Sequence, residues 1–380
     1  MIQFSGLLKP NNLLSKIITC SFNFFFFFVR RIVKLAEISN GNVVVISLHK
    51  LGDTVFTIPA IHEIQKIYNK KIIIYCYPEA EHIYKLGLKN VEYCIVEHKN
   101  FFWGDRIANL KARKLLKSNN PEIIFDLTGV MTSSFLIFNS RARKIIGMSR
   151  LHFKMIYDQQ TPIRNTPHLI DRYLDVVSLV KPEIDRTNAR IFLCKTESVK
   201  RILIHPFAGW KAKEWGVNKF IKLSELLSND FIVSIISPPD YLTADIFEDI
   251  KNRKFKTIIT TSINELINNI YNCDLFIGND SGPLHIANLL GKATFSILGP
   301  TNPVFHIPLG KSHDYIIQQL SCSAKDMEKL CITDGGRAGC PEFSCMKVLE
   351  VDQVYKKIRN LINKIDSNKN FNLENYNAWN

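Results

Sequence analysis

The stretch GNDSGPLHIANLLGKATFSILGP, Gly278 to Pro300, decides how the chain is read. It follows the apolar run DLFI, places Asp280, Ser281, Gly282 and His285 close together, and closes on a second apolar run, ATFSIL. A strand ending in polar residues, then a helix, then another strand make a βαβ unit of a parallel sheet. The free N–H groups and positive dipole end at the head of such a helix favour an anion, and phosphate above all. A plain helix cap uses the same residue types. The surrounding sequence has to separate the two readings.

Working backwards, strands and helices alternate from Asn42 onwards. VVVISL (Val43 to Leu48) has the continuous β-branched apolarity of a buried parallel strand. HKLGD follows it, and from Asp53 the residues Phe56, Ile58, Ile61, Ile64 and Ile67 recur at helical spacing. KIIIYCY (Lys71 to Tyr77) and EIIFDLTG (Glu122 to Gly129) read as further strands, and ARKIIGM as a shorter one. After a polar stretch the series restarts with RILIHPFAGW (Arg201 to Trp210), a helix from about Val217 to Leu227, the strand FIVSIIS, and the helices YLTADIFEDI and SINELINNIYNC. The expected organisation is a leader over 1–41, a Rossmann-like domain over 42–180, a linker over 181–200, a second Rossmann-like domain over 201–366, and an Asn-rich disordered tail over 367–380.

Composition limits the function classes. The 380 residues suit two ordinary domains, and 46% apolar with 22% charged residues is globular. Lys and Arg number 49 against 35 Asp and Glu, a net charge of +14, so anionic partners are expected. The basic residues are dispersed, without an RNP-like motif or zinc-finger spacing, which argues against nucleic acid. Phosphate-rich substrates or a membrane surface fit better. LLSKIITCSFNFFFFFVRR (Leu13 to Arg31) is apolar, but Lys16 interrupts it and its uninterrupted core is shorter than the roughly 20 residues of a spanning helix. Flanked by Lys9, Arg30, Arg31 and Lys34, it reads as an anchor lying on an anionic leaflet, against the alternative of a leader helix packed on the body. Of nine cysteines, Cys322, Cys331, Cys340 and Cys345 crowd near the C-terminus without a C-x-x-C pair. A reduced cluster is the preferred reading and zinc the alternative.

In open α/β sheets ligands bind beyond the carboxyl ends of the strands. Five loops qualify. HKLGD carries Gly52 for a tight turn and Asp53 at or near the helix N-cap. HPFAGWKAKEWG offers Lys211 and Lys213 to a phosphate. SPPD ends in Asp240, a carboxylate able to take a ribose hydroxyl pair, and Thr260 to Ser262 precede a helix and read more simply as a cap. The fifth is GNDSGPLH. The first βα turn lacks G-x-G-x-x-G and the chain lacks G-x-x-x-x-G-K-[ST], which argues against a dinucleotide dehydrogenase and a P-loop ATPase.

Taken together and in order, ISLHKLGDTVFTIPAIHEI, EIIFDLTG with ARKIIG, HLIDRYLDVV, HPFAGWKAKEW, NDSGPLHIANLLGKATFSILGPTNP and CPEFSCMKVLEVDQVYKKI resemble the ADP-heptose:lipopolysaccharide heptosyltransferases, glycosyltransferase family 9. The likeness runs from about Asn42 to Ile362, and the GPTNP piece is its most specific part. It implies a GT-B fold, two Rossmann-like domains facing a cleft. It also implies an inverting transfer without a metal or cofactor, from a nucleotide-sugar donor, ADP-heptose by default, to a lipid-linked glycan acceptor. Under that resemblance Asp53 is the general base, with His49, Lys50 and Gly52 beside the acceptor. Lys213 holds the leaving diphosphate, Asp280, Ser281, Gly282 and His285 form the sugar and diphosphate loop, and Asp240 takes the ribose, with Gly209 and Thr261 also at the donor. The implied location is the cytoplasmic face of the inner membrane, held peripherally. The chain departs from the family's pattern at His49 and Lys50, at Gly209 in place of a common Ser, and at Asp240 for Glu after Pro238 and Pro239. A different sugar donor, or a non-catalytic nucleotide- or glycan-binding homologue, are the alternatives.

Overall fold

The β-branched runs form the inner strands of two parallel sheets. The computed structural model describes residues 13–36, 40–97, 106–149, 151–162, 168–189, 194–251, 253–326, 328–332, 340 and 342–367. The Asn-rich tail from residue 368 on, residues 1–12 of the leader with Lys9, and 190–193 of the polar linker stretch lie outside the described residues. Contacts divide the chain into two compact units between Ala189 and Arg190.

The first unit runs α1 (Leu13–Val33), β1 (Asn42–Ile46), α2 (Leu51–Ile67), β2 (Ile72–Cys76), α3 (Pro78–Gly87), β3 (Val91–Ile95), α4 (Arg106–Ser118), β4 (Pro121–Asp126), α5 (Met131–Ile137), β5 (Lys144–Ser149), β6 (Gln159–Pro162), α6 (Leu169–Ser178) and α7 (Arg186–Ala189). Its strands pair in the order β3-β2-β1-β4-β5-β6, all parallel. The second unit runs β7 (Arg201–His205), α8 (Val217–Leu227), β8 (Ile232–Ser237), α9 (Ala244–Lys251), β9 (Lys256–Ile259), α10 (Ile263–Tyr271), β10 (Leu275–Asn279), α11 (Gly282–Leu289), β11 (Ala293–Leu298), β12 (His313–Ile317), α12 (Ser344–Lys347) and α13 (Val351–Ser367). Its order is β12-β11-β10-β7-β8-β9, again parallel throughout. Counted from its own first strand, each sheet has the Rossmann order 3-2-1-4-5-6. The α/β reading of two Rossmann-like units therefore describes the fold. β3, β6, β9 and β12 are the strands that no continuous apolar run announces, and all four are sheet edges.

One boundary is corrected. The helix after HKLGD begins at Leu51, with Lys50 at the N-cap and Asp53 inside the first turn, so Asp53 does not cap it. No side chain caps it; Thr54 Oγ1 instead donates back to the Lys50 carbonyl at 3.0 Å.

The leader helix α1 belongs to the first unit's core. Phe26 is fully buried and packs with Phe135 and Phe138. One turn on, Arg30 is 5% exposed. Its guanidinium donates to the carbonyls of Ser140 at 2.9 Å and Ala142 at 2.7 Å and pairs with Asp158 at 2.6 Å. Lys34 reaches the other Asp158 oxygen at 2.5 Å. Burial opposes ionisation of Asp158, but Lys34 and Arg30 outweigh it and hold its carboxyl below the usual range. The opposite face of α1 is also apolar. Phe24, Phe28, Ile32 and, just past the helix, Leu35 are exposed. No helix among the described residues is long and apolar enough to cross a membrane.

Arg30→Ala leaves the Ser140 and Ala142 carbonyls without their donor and Asp158 with Lys34 as its cation, and should destabilise the first unit by about 2 kcal/mol. Chemical denaturation followed by circular dichroism measures this, and a loss under about 1 kcal/mol would show that α1 is only loosely docked.

Candidate active site

The reversal of strand order beside the first strand of each sheet leaves a crevice at the carboxyl edge, between β1 and β4 and between β7 and β10. In the first unit HKLGD leaves β1 at that point and DLTG leaves β4. The two turns are tied together: Leu48 N donates to Thr128 Oγ1 at 2.9 Å, and the His49 ring lies 3.0 Å from the Leu127 carbonyl through Nε2. Since a carbonyl only accepts, Nε2 carries the proton. Burial lowers the His49 pKa, against the opposing pull of Asp53 and other groups. α2 is fixed to the sheet by a buried hydroxyl chain, Thr57 to Tyr84 at 2.8 Å and Tyr84 to Ser47 at 2.6 Å.

Two carboxylates stand at this edge, and their surroundings separate their roles. Asp126 is fully buried. It accepts from Thr128 N at 2.9 Å, Gly129 N at 3.1 Å and Tyr157 OH at 2.7 Å. That carboxylate shapes a turn whose Gly129 has φ +61°, where an added Cβ would lie 2.3 Å from the Met148 carbonyl oxygen. Burial raises the Asp126 pKa, although its donors work the other way. Asp53 is exposed in the first turn of α2 and makes no hydrogen bond or ion pair among the described residues. Of the two, only Asp53 is exposed to solvent. Gly52 precedes it and the Lys50 side chain points to solvent.

In the second unit the corresponding loops meet more tightly. Asn279, at the end of β10, accepts from Trp215 N at 3.1 Å and donates to the Pro206 carbonyl at 2.7 Å, so it ties the loop after β7 to the loop after β10. The next residue, Asp280, is 4% exposed. Its Oδ2 receives Lys213 Nζ at 2.6 Å, Thr301 Oγ1 at 2.9 Å and His306 Nε2 at 3.0 Å. His285 Nε2 stands 3.8 Å from Oδ1. Burial works against an Asp280 anion, yet His306 and Lys213 outweigh it and hold its carboxyl well below the usual carboxylate range. Burial lowers the pKa of His285 in spite of the nearby Asp280. Lys213 also lies 4.7 Å above the Trp210 ring.

At α11 the N-cap is Ser281, whose side chain makes no cap bond; its Oγ is buried with no hydrogen-bond partner among the described residues. Pro283 contributes no N–H and Leu284 N turns back to the Ser281 carbonyl at 3.2 Å, so the helix offers an anion the Gly282 amide rather than a row of amides.

The remaining donor-site candidates sit at the same sheet edge. A Cβ on Gly209 meets nothing within 4 Å, so the absent Ser side chain has room. Asp240 is exposed in a left-handed turn with φ +62°. Thr261 is taken by Glu265 through its N at 2.7 Å and its hydroxyl at 3.1 Å, while Ser262 caps α10. Lys211 is spent on Glu214 at 2.8 Å. The structure thus gathers Lys213, Asp280 and His285 with two residues that the loop reading left unassigned, Thr301 and His306. Thr301 lies in the GPTNP segment, and no motif pointed to His306. Cys322, Cys331, Cys340 and Cys345 line one small cavity of about 50 Å³ with no disulfide between them. Among the described residues no group of three His, Cys, Asp or Glu side chains is placed to hold a metal ion.

Two parallel sheets with these loops at the carboxyl edge are the architecture of GT-B glycosyltransferases. The fold is similar to that of a family 9 glycosyltransferase from Veillonella parvula (TM-score 0.68, 19% identity, 86% of this chain and 99% of that one). It is also similar to an ADP-heptose lps heptosyltransferase II from E. coli (TM-score 0.63, 14% identity, 85% and 99%). The sequence model of glycosyltransferase family 9 (heptosyltransferase) matches residues 109–335. The chain belongs to that family. A lipooligosaccharide heptosyltransferase 2 from Campylobacter jejuni is 30% identical over 170 residues, 43% of this chain and 52% of the relative. A second Campylobacter jejuni protein of that name is 29% identical over 171 residues, so the chain spans about half the length of these curated relatives.

Asp280→Asn leaves Lys213 and His306 without their shared anion and should cost about 3 kcal/mol of stability near neutral pH. Because the folded-state carboxyl titrates well below its unfolded value, that contribution is present above about pH 4 and disappears as the pH falls through the folded pKa. Thermal unfolding of both proteins from about pH 8 to about pH 3 should show a constant gap that closes only in acid.

Proposed function

We propose that the protein transfers heptose from ADP-heptose to a lipopolysaccharide core or related lipid-linked glycan, with inversion at the anomeric carbon. The observation that carries this reading is the charged cluster of Lys213, Asp280 and His306 at the head of α11, where a phosphate-bearing donor is expected. The names of the relatives supply the sugar. Asp53 takes the proton of the acceptor hydroxyl as its oxygen bonds to the anomeric carbon, and the bond to the diphosphate breaks on the opposite side. Lys213 spends one N–H on Asp280 and keeps two for the departing diphosphate. Charge neutralisation is assigned to Lys213 and the Gly282 amide, without a metal. His49, Lys50 and Gly52 border the acceptor, Ser281 and His285 the donor sugar, Asp240 the ribose, and Gly209 and Thr261 the rim of the donor site. The acceptor is assigned to the domain over 42–180, with α1 packed on it, and the donor to the domain over 201–366. Asp240, one carbon shorter than Glu and held in a left-handed turn, favours as a second reading a different nucleotide-sugar in the same site.

A thermal-shift screen of nucleotide-sugars tests the donor. ADP-heptose and ADP should raise the melting temperature, and a shift only with other nucleotides would reassign it. Asp53→Asn should lower transfer by at least about a hundredfold while ADP still protects, and an active variant would remove Asp53 as the base.

The outward stripe of α1 supports peripheral attachment to the cytoplasmic face of an anionic membrane. Phe24, Phe28, Ile32 and Leu35 are 67%, 47%, 65% and 88% exposed, with Arg31 and Lys34 alongside. Deleting the leader would also remove Phe26 and Arg30 from the core, so substitution is the cleaner probe. Phe24→Ser, Phe28→Ser and Ile32→Ser together should release the protein from phosphatidylglycerol-containing vesicles in flotation. Undiminished flotation with a native fold would sink the idea.

A further inference from the structure

We infer that His306 is a second phosphate-binding residue of the donor site, acting beside Lys213 on the nucleotide diphosphate. The inference rests on the reading of the second unit as the nucleotide-sugar site, and deepens it. His306 is 7% exposed, in the loop that follows β11, the strand next to β10. Asp280 is held as an anion and can only accept, so the 3.0 Å contact fixes a proton on His306 Nε2. The other ring nitrogen, Nδ1, is buried and has no hydrogen-bond partner among the described residues. Ser281 Oγ, 8% exposed on the neighbouring loop at the N-cap of α11, is buried and unpartnered too. An unpaired buried polar atom costs free energy unless a ligand completes it. Here two such atoms accompany a lysine with two N–H groups left and an open helix N-terminus; Lys213, the Gly282 amide and the Ser281 hydroxyl donate as they stand, and His306 Nδ1 donates when the ring carries its second proton. A diphosphate, rich in acceptors and poor in donors, is the ligand class that satisfies this set.

The arrangement also has a charge logic. Asp280 is one negative charge facing Lys213, His306 and His285, and it neutralises the site while it is empty. In the doubly protonated form of the ring, one N–H of His306 stays on Asp280 and the other is directed to a phosphate oxygen. Thr301, bonded to the same Asp280 oxygen, keeps the carboxylate in place for Lys213 and His306.

The test compares ADP with adenosine on wild type, His306→Gln and Lys213→Ala by calorimetry. Glutamine keeps a donor for Asp280 but has nothing in place of Nδ1–H. His306→Gln should weaken ADP about tenfold and leave adenosine unchanged. Unaltered ADP affinity in His306→Gln, or an equal loss for ADP and adenosine, would each overturn the role of His306. If Lys213→Ala also binds ADP like wild type, the donor-site reading fails as a whole. Loss in Lys213→Ala alone leaves that reading standing without His306.

Discussion

Parallel strands force their connections across the faces of the sheet, and where the direction of crossover reverses, two adjacent strands send their loops apart. Each half of this chain meets that constraint once, between β1 and β4 and between β7 and β10. What differs is how the resulting gap is filled. The first unit binds its two loops through uncharged groups, Thr128 and the His49 ring on backbone, which leaves Asp53 unclaimed. The second binds its loops through Asn279 and then concentrates charge one residue later, at Asp280. One fold, used twice, yields an exposed carboxylate in one half and, in the other, a buried anion held by Lys213, Thr301 and His306.

That buried anion is expensive to hold. Removing Asp280 and Lys213 from water costs several kcal/mol per ion, and their attraction offsets it only because Thr301 and His306 satisfy the same oxygen. A hydrophobic pair of similar volume would serve stability as well or better. Such a cluster is understandable as a site built around charge in a dry setting, where each donor counts for more than it would in water. Asp280 is then a support for the cations, with its own carboxylate occupied.

The inner strands were legible in the sequence because both of their faces are covered. Val43–Val45, Ile72–Ile74 and Leu275–Ile277 are uninterrupted apolar runs for that reason. β3, β6, β9 and β12 lie at the sheet edges, half-covered, and VEYCI or QQTP carries no such run. The loops were legible as motifs with their residues in the right order, down to Lys213 and Asp280. Their division of labour was not. No spacing rule indicates that Asp280 would face inward to take three donors, or that His306, twenty-six residues further on, would be one of them. Such contacts depend on which loops the sheet order makes neighbours. The leader was half legible: its apolarity was plain, but a run of phenylalanines cannot show that Phe26 turns inward while Phe24 and Phe28 turn out.

The way Arg30 is held has a bearing on synthesis. Its partner Asp158 lies 128 residues later in the chain. At ordinary rates of translation roughly 6 to 26 s pass between the two leaving the ribosome. During that interval α1 has neither its inner face covered nor its arginine paired, and both of its apolar faces are open to whatever lies near. A bilayer or a chaperone can occupy the helix before its own domain exists. The order in which the chain is made thus leaves the inner face of α1 uncovered until the core that claims it has been synthesised.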